Sequence, residues 1–218
     1  MKRILCTKKL SRSQKELLLN AGAFSLEEYN AIQIHTVPFE VPVLIENAIF
    51  TSQNAVCSIQ NSEFRIQNCF CVGKKTKSLL EGNGQKVIKM TEYGSKLADF
   101  IVKYHKNETF YFFCGNRRKD DIPSILKNAK IELFEVKTYK TTLNKVKFDQ
   151  KIDGILFFSP SGVESFTSEN KLENAFAFCI GNTTAAEAKK HTQNVIVSNE
   201  TTIESTILKA IETLKNYD

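Results

Sequence analysis

The sequence predicts a duplicated α/β unit built on parallel sheets, and three observations lead there. Short apolar runs rich in Ile, Val and Phe alternate with segments of helical periodicity, similar strings recur at one spacing, and several strands end in small hydrogen-bonding residues just before a helix. Alternation of this kind implies parallel pairing, because parallel neighbours need a crossover connection, usually a helix.

The strands are expected at 4–6, 33–37, 45–50, 70–72, 86–90, 110–114, 131–136, 154–158, 176–180 and 194–197, runs too short for helices. The helices carry their own signals. Ser13 followed by Glu16 reads as a capping box before three leucines, with Gly22 as the stop. Pro123 fits the first turn of a helix running to about Asn128. Ile203, Ile207, Ala210, Ile211 and Leu214 share one face of the last helix, which reads as core.

The repeat is the strongest internal signal. FTSQNAV at 50–56 matches FFSPSGV at 157–163, an offset of 157 − 50 = 107, and FCVGKKT at 70–76 matches FCIGNTT at 178–184, an offset of 178 − 70 = 108. Val87 then pairs with Val195, and Cys6 with Cys114. Because 2 × 108 = 216, the repeat accounts for nearly the whole chain of 218 residues. No Pro/Gly/Ser linker separates the halves; VPFEVP at 37–42 and KTYKTTLNKVK at 137–147 each read as a hinge or as an ordinary loop.

Composition narrows the function. Thirty Lys and Arg against 24 Asp and Glu leave a net +6, with 42% apolar and 25% charged residues, the profile of a soluble globular protein. No apolar stretch approaches the ~20 residues that span a bilayer, and no secretory leader is expected at the N-terminus, where Lys8 and Lys9 follow a short apolar run. Six cysteines in mostly apolar surroundings, without a CxxC pair, read as reduced and buried in a cytoplasmic protein. Three scattered histidines leave no metal-binding spacing. No metal, cofactor, nucleic-acid or membrane partner is expected, and the default state is a monomer.

Ligands of parallel α/β sheets bind beyond the carboxyl ends of the strands, where helix N-termini present free N–H groups. Five segments fall there: Thr51-Ser52-Gln53-Asn54, Gly73-Lys74-Lys75-Thr76, Cys114-Gly115-Asn116-Arg117-Arg118, Ser159-Pro160-Ser161-Gly162 and Gly181-Asn182-Thr183-Thr184. Each residue can cap its helix or bind a ligand oxygen; together they point to an anion-binding cleft. Basic residues gather at the same places, at Lys8 and Lys9, at Lys74, Lys75 and Lys77, and from Arg117 to Lys119. A polyanionic small molecule fits better than nucleic acid, and carboxylate better than phosphate, since neither GxxxxGK[ST] nor GxGxxG is present.

In order and spacing, these motifs resemble the uroporphyrinogen-III synthase family: FTSxNAV at 50–56, VGxxT at 72–76, GNRRKDDIPSIL at 115–126, Tyr139-Lys140-Thr141, FSPSGV at 158–163 and IGNTTAAEA at 180–188. The resemblance implies two parallel-sheet α/β domains of similar topology joined by a two-stranded hinge, one domain from 1–37 and 143–218, the other from 42–137, with crossings at 38–41 and 138–142. The duplicated halves then exchange segments, which accounts for the missing midpoint linker.

It further implies a cofactor-free enzyme that cyclises hydroxymethylbilane, a linear tetrapyrrole with eight carboxylates, to uroporphyrinogen III with inversion of the last ring. Tyr139 matches the family's candidate acid; an amphipathic residue packing one face at the hinge is the alternative. Donors for the carboxylates are expected at the amides from Ser52 through Gln53 and Asn54 to Ala55, at Gly115, Gly162 and Gly181, and at the side chains of Thr76, Asn116, Arg118, Ser159, Ser161, Thr183 and Thr184. Where family members commonly carry Thr-Arg-Pro, this chain has Thr7-Lys8-Lys9, which leaves Lys8 as a point charge. A two-lobed anion-binding module without catalysis is the competing reading, and a phosphosugar enzyme is disfavoured by the missing phosphate loop.

Overall fold

The computed structural model describes residues 1–217. In chain order the elements are β1 (Lys2–Cys6), α1 (Arg12–Leu19), β2 (Phe24–Glu28), β3 (Ile32–Thr36), β4 (Leu44–Phe50), α2 (Gln53–Ser58), β5 (Arg65–Val72), α3 (Lys74–Gly82), β6 (Val87–Thr91), α4 (Gly94–Tyr104), β7 (Phe110–Gly115), α5 (Asp121–Asn128), β8 (Leu133–Leu143), β9 (Gly154–Phe157), α6 (Pro160–Thr167), β10 (Phe176–Cys179), α7 (Asn182–Ala188), β11 (Val195–Val197) and α8 (Ile203–Lys215). They form two compact units, one from Met1–Gln33 with the chain from Thr142 onward, the other from Ile34–Thr141.

The first unit holds a five-stranded sheet in the order β11-β10-β9-β1-β2, every adjacent pair parallel. Its strands β9 and β10 are apolar throughout, as strands buried on both faces must be; all four residues of β9 are buried. Val163, Phe166, Ala185 and Ala188 of α6 and α7 cover one face, against Leu5, Ile155 and Phe157. Leu18 of α1 and Ile207, Ala210, Ile211 and Leu214 of α8 cover the other, against Ile4, Leu156 and Phe178. The expected core face of the last helix is therefore in place.

The second unit holds the order β3-β8-β7-β4-β5-β6, with parallel pairing from β8 through β6. Here α4 and α5 pack on the face of Phe70, Phe110 and Phe112, while α2 and α3 pack on the face of Phe50, Cys71 and Phe113. The Phe113 ring is parallel to Phe50 at 5.1 Å and to Phe64 at 5.6 Å, so it stacks against two aromatic neighbours.

Adding 108 to the first unit's N-terminal piece carries β1 onto 110–114, inside β7, and β2 onto 132–136, over β8. Subtracting 108 from its C-terminal piece carries β9 onto 46–49, β10 onto 68–71 and β11 onto 87–89, inside β4, β5 and β6. Both sheets thus have one spatial order, β2-β1-β9-β10-β11 and β8-β7-β4-β5-β6. They differ in which strand the chain enters first, and the N-terminal piece of one corresponds to the C-terminal piece of the other.

Several local expectations are corrected. The capping box of α1 is Ser11 with Gln14, not Ser13 with Glu16: Gln14 N–H donates to Ser11 Oγ at 3.3 Å and Ser11 N–H to Gln14 Oε1 at 3.0 Å, while Glu16 pairs with Arg12. The helix ends at Leu19, three residues before Gly22, whose φ of +95° belongs to the following turn. Strand β2 was not expected at all. It lies at the sheet edge with only Phe24 fully buried, so its apolar signal is diluted by Glu27 and Glu28. Residues 137–143, expected as a hinge or loop, continue β8, and the strand expected at 33–37 is β3 at 32–36.

Of the six cysteines, only Cys57 is exposed; burial pushes the thiols of Cys6, Cys69 and Cys179 up to about 12 and those of Cys71 and Cys114 up to about 11. At pH 8 one thiol should react promptly with an aromatic disulfide reagent and the other five only after unfolding; five or six prompt equivalents would contradict the buried assignment. Phe113→Ala should cost about 3–5 kcal/mol in urea unfolding, since it empties the centre of a ring stack.

Candidate active site

In each sheet there is one place where the crossovers depart in opposite directions, and there the carboxyl ends of two neighbouring strands open a crevice. It lies between β4 and β7 in the second unit and between β1 and β9 in the first. The expected segments after β4, β7 and β9 fall at these points, and those after β5 and β10 lie one strand further out.

In the second unit, Ser52 caps α2, accepting the Asn54 N–H at 3.1 Å, and the Ala55 N–H turns back to the Ser52 carbonyl at 3.2 Å. Two of the four amides expected to meet carboxylates are therefore engaged within the turn, and those of Ser52 and Gln53 remain at its mouth. One strand over, α3 begins at Gly73 without a side-chain cap. Thr76 sits in its first turn, 5% exposed, and its hydroxyl makes no hydrogen bond among the described residues. Lys74 and Lys75 are exposed and form no ion pair among those residues.

Past β7 the arrangement differs from a cluster of free donors. Asn116 spends both ends of its amide on Thr141, accepting its N–H at 2.8 Å and donating to its carbonyl at 3.3 Å. Arg118 is held by Glu135 through two nitrogens and by Asp120 at 2.8 Å. Glu135 beside it pushes the guanidinium pKa further up, so its charge is permanent but already paired. Asp120 is held below the usual carboxylate range, first by the Ser124 hydroxyl and then by Arg118. Tyr139 stands opposite Gly115, half-buried, with no hydrogen bond to its hydroxyl among the described residues. A Cβ at Gly115 would lie 2.9 Å from that hydroxyl oxygen, so only glycine leaves the ring its place.

In the first unit, Ser159 caps α6 and takes the Gly162 N–H at 3.0 Å, which uses the amide assigned to a substrate carboxylate. Thr7, which is not among the expected site residues, bonds the Leu156 carbonyl at 2.7 Å and ties the end of β1 to β9 at the crevice. Lys8 is exposed in the turn after it, while Ser161 lies half-buried in the first turn of α6. Helix α7 repeats the pattern of α3: no side-chain cap at Gly181, Thr183 exposed, and Thr184 2% exposed with a hydroxyl that makes no hydrogen bond among the described residues. Capping accounts for Ser52 and Ser159 and fails for Thr76 and Thr184, two positions that 184 − 76 = 108 makes equivalent.

A concavity of ≈ 850 Å³ in the first unit lies elsewhere, lined by Asp153, Ala175 and Phe176 at the amino ends of its strands with four lysines and four acids around it. Helices that return from parallel strands bring their C-termini to that edge, and none of the expected site residues lines the space. Among the described residues no group of three or more His, Cys, Asp or Glu is placed to hold a metal ion, and no helix is long and apolar enough to cross a membrane.

Comparison with known proteins bears on the family and the fold. Residues 18–207 match the family model described as HEM4, uroporphyrinogen-III synthase HemD. The porphyrin biosynthesis protein HemD of Ruminiclostridium josui is 38% identical over 104 residues, 43% of this chain but 21% of that protein, so the chain matches about a fifth of the relative's length. Among solved structures, the uroporphyrinogen-III synthetase of Helicobacter pylori aligns over 98% of this chain and all of its own with a TM-score of 0.74 at 17% identity. A mutant uroporphyrinogen III synthase of Thermus thermophilus aligns over the whole of both chains with a TM-score of 0.68 at 12% identity, a likeness of fold. With the family model spanning most of its length, this chain belongs to the uroporphyrinogen-III synthase HemD family.

Proposed function

We propose that this chain is a uroporphyrinogen-III synthase, converting hydroxymethylbilane to uroporphyrinogen III in haem biosynthesis without a cofactor. The observation that carries the reading is the Tyr139 hydroxyl, seated over Gly115 at the end of β7 with no hydrogen bond among the described residues. A weak acid that must protonate a departing hydroxyl needs a proton not already committed elsewhere.

The reaction starts when the hydroxyl of the terminal hydroxymethyl group takes that proton and leaves as water, its methylene carbon staying on the ring as an azafulvene cation. The last pyrrole ring attacks through its substituted carbon, and the resulting spiro intermediate fragments and recloses with that ring inverted. Uninverted closure to isomer I occurs spontaneously, so the protein must hold one conformation of a flexible chain. Orientation of that kind reaches ~7–11 kcal/mol in favourable intramolecular models. It calls for many modest donors: the uncapped amides that open α3 and α7, the Thr76 and Thr184 hydroxyls, the Ser52 and Gln53 amides, and the exposed Lys8, Lys74 and Lys75. Arg118 and Asn116 then shape the loop after β7 instead of touching substrate. The reading includes the division into 1–37 with 143–218 and 42–137, and a monomer acting in the cytoplasm.

Supplied with hydroxymethylbilane, the protein should yield isomer III on chromatographic separation; isomer I alone, at the spontaneous rate, would refute the assignment and favour an anion-binding module. Tyr139→Phe should lower kcat by ~10²–10⁴-fold while leaving the urea midpoint unchanged, and full turnover would remove the acid role.

A further inference from the structure

Tyr139 is on the face of the sheet where strict alternation along β8 would not put it. With side chains alternating, Leu133, Glu135 and Lys137 point one way and Val136 the other, so residue 139 should follow Leu133 towards the α4/α5 layer. Leu133 does pack in that layer, but Tyr139 packs with Val136, Phe50 and Phe113, on the side of α2 and α3. The cause is one extra residue. Cys114 pairs with Lys137 and the next pair is Gly115 with Tyr139, so Thr138 is bulged out of the register. Bulges are rare between parallel strands, and their effect is to re-aim a side chain.

Thr138 is completely buried, and a network holds it. Its hydroxyl shares a 2.7 Å hydrogen bond with Ser58 of α2, and its carbonyl accepts the Val37 N–H at 3.0 Å. Ser58 also bonds the Ala55 carbonyl at 2.8 Å. The bulge is thereby joined to the helix that Ser52 caps. Without it, Tyr139 would face the layer away from Ser52 and Thr76.

We propose that Thr138 is a positioning residue for the ring-closing reaction, holding the Tyr139 hydroxyl on the α2/α3 face through the bulge and its bond to Ser58. The proposal rests on the reading of Tyr139 as the acid. Thr138→Val keeps the shape and removes the bond; Thr138→Ser keeps the bond. The Val variant should lose kcat by up to ~10²-fold, as displacement of a reacting group by about an ångström does, with KM within about twofold. Thr138→Ser should restore turnover, and Thr138→Val with Tyr139→Phe should be no slower than Tyr139→Phe alone. In full-length protein labelled with 3-fluorotyrosine, the ¹⁹F resonance lost in Tyr139→Phe should shift in Thr138→Val and stay in place in Thr138→Ser. If the Val variant fails to fold, Ser58→Ala removes the same bond from the other side and should give the same shift. An unmoved resonance with full kcat overturns the proposal. A moved resonance with full turnover in Tyr139→Phe strikes the acid role and leaves the placement by Thr138 standing.

Discussion

Parallel strands cannot be joined by tight turns. Each must be followed by a crossover, and in both units of this chain that crossover is mostly a helix returning across a face of the sheet. Three consequences follow together: both sheet faces are buried, the carboxyl ends of the parallel strands lie on one edge, and most of the helices present their N-terminal amides at that edge. The apolar runs, the Ser and Gly residues at helix starts and the location of the candidate site all descend from this connectivity. It also makes the large concavity at the opposite edge of the first unit a poor candidate, since that edge lacks the amides an anion needs.

The candidate site is less cationic than the sequence suggests, because part of its positive charge is paired. The cations that looked in the sequence like a ready-made anion trap divide once the structure is known. Arg118 is consumed by Glu135 and Asp120, and Lys77 lies 3.6 Å from Glu81, while Lys8, Lys74 and Lys75 stay exposed. Exposed lysines act as screened point charges, whereas amides and hydroxyls at a helix start have fixed directions. Thr76 and Thr184, at equivalent positions, are both buried and their hydroxyls make no hydrogen bond among the described residues.

The second unit places Tyr139 at a break in the register between two parallel strands. Tyr139 owes its orientation to a bulge, to a glycine across the ladder and to a hydroxyl pair reaching from another element. None of these is a strong interaction; a typical internal hydrogen bond contributes about 1 kcal/mol. Their joint effect is geometric, since moving a side chain across a sheet turns it from one packed layer to the other.

Local chemistry and periodicity were enough to determine the α/β class, the parallel sheets, most strands, the core face of α8 and the five segments at the strand ends, because each depends on residues within one turn or strand of each other. The 108-residue repeat was legible for the same reason, as two copies of the same local solutions. Tertiary structure decided the rest. The edge strand β2 carries too little apolar contrast to declare itself, and the Ser11 cap was settled by where Glu16 and Gln14 found partners. Whether Ser159 or Thr184 caps a helix, whether Arg118 is free or paired, and which layer Tyr139 faces depend on groups distant in the chain. Register and pairing arise only when strands meet, and a sequence read one segment at a time does not contain them.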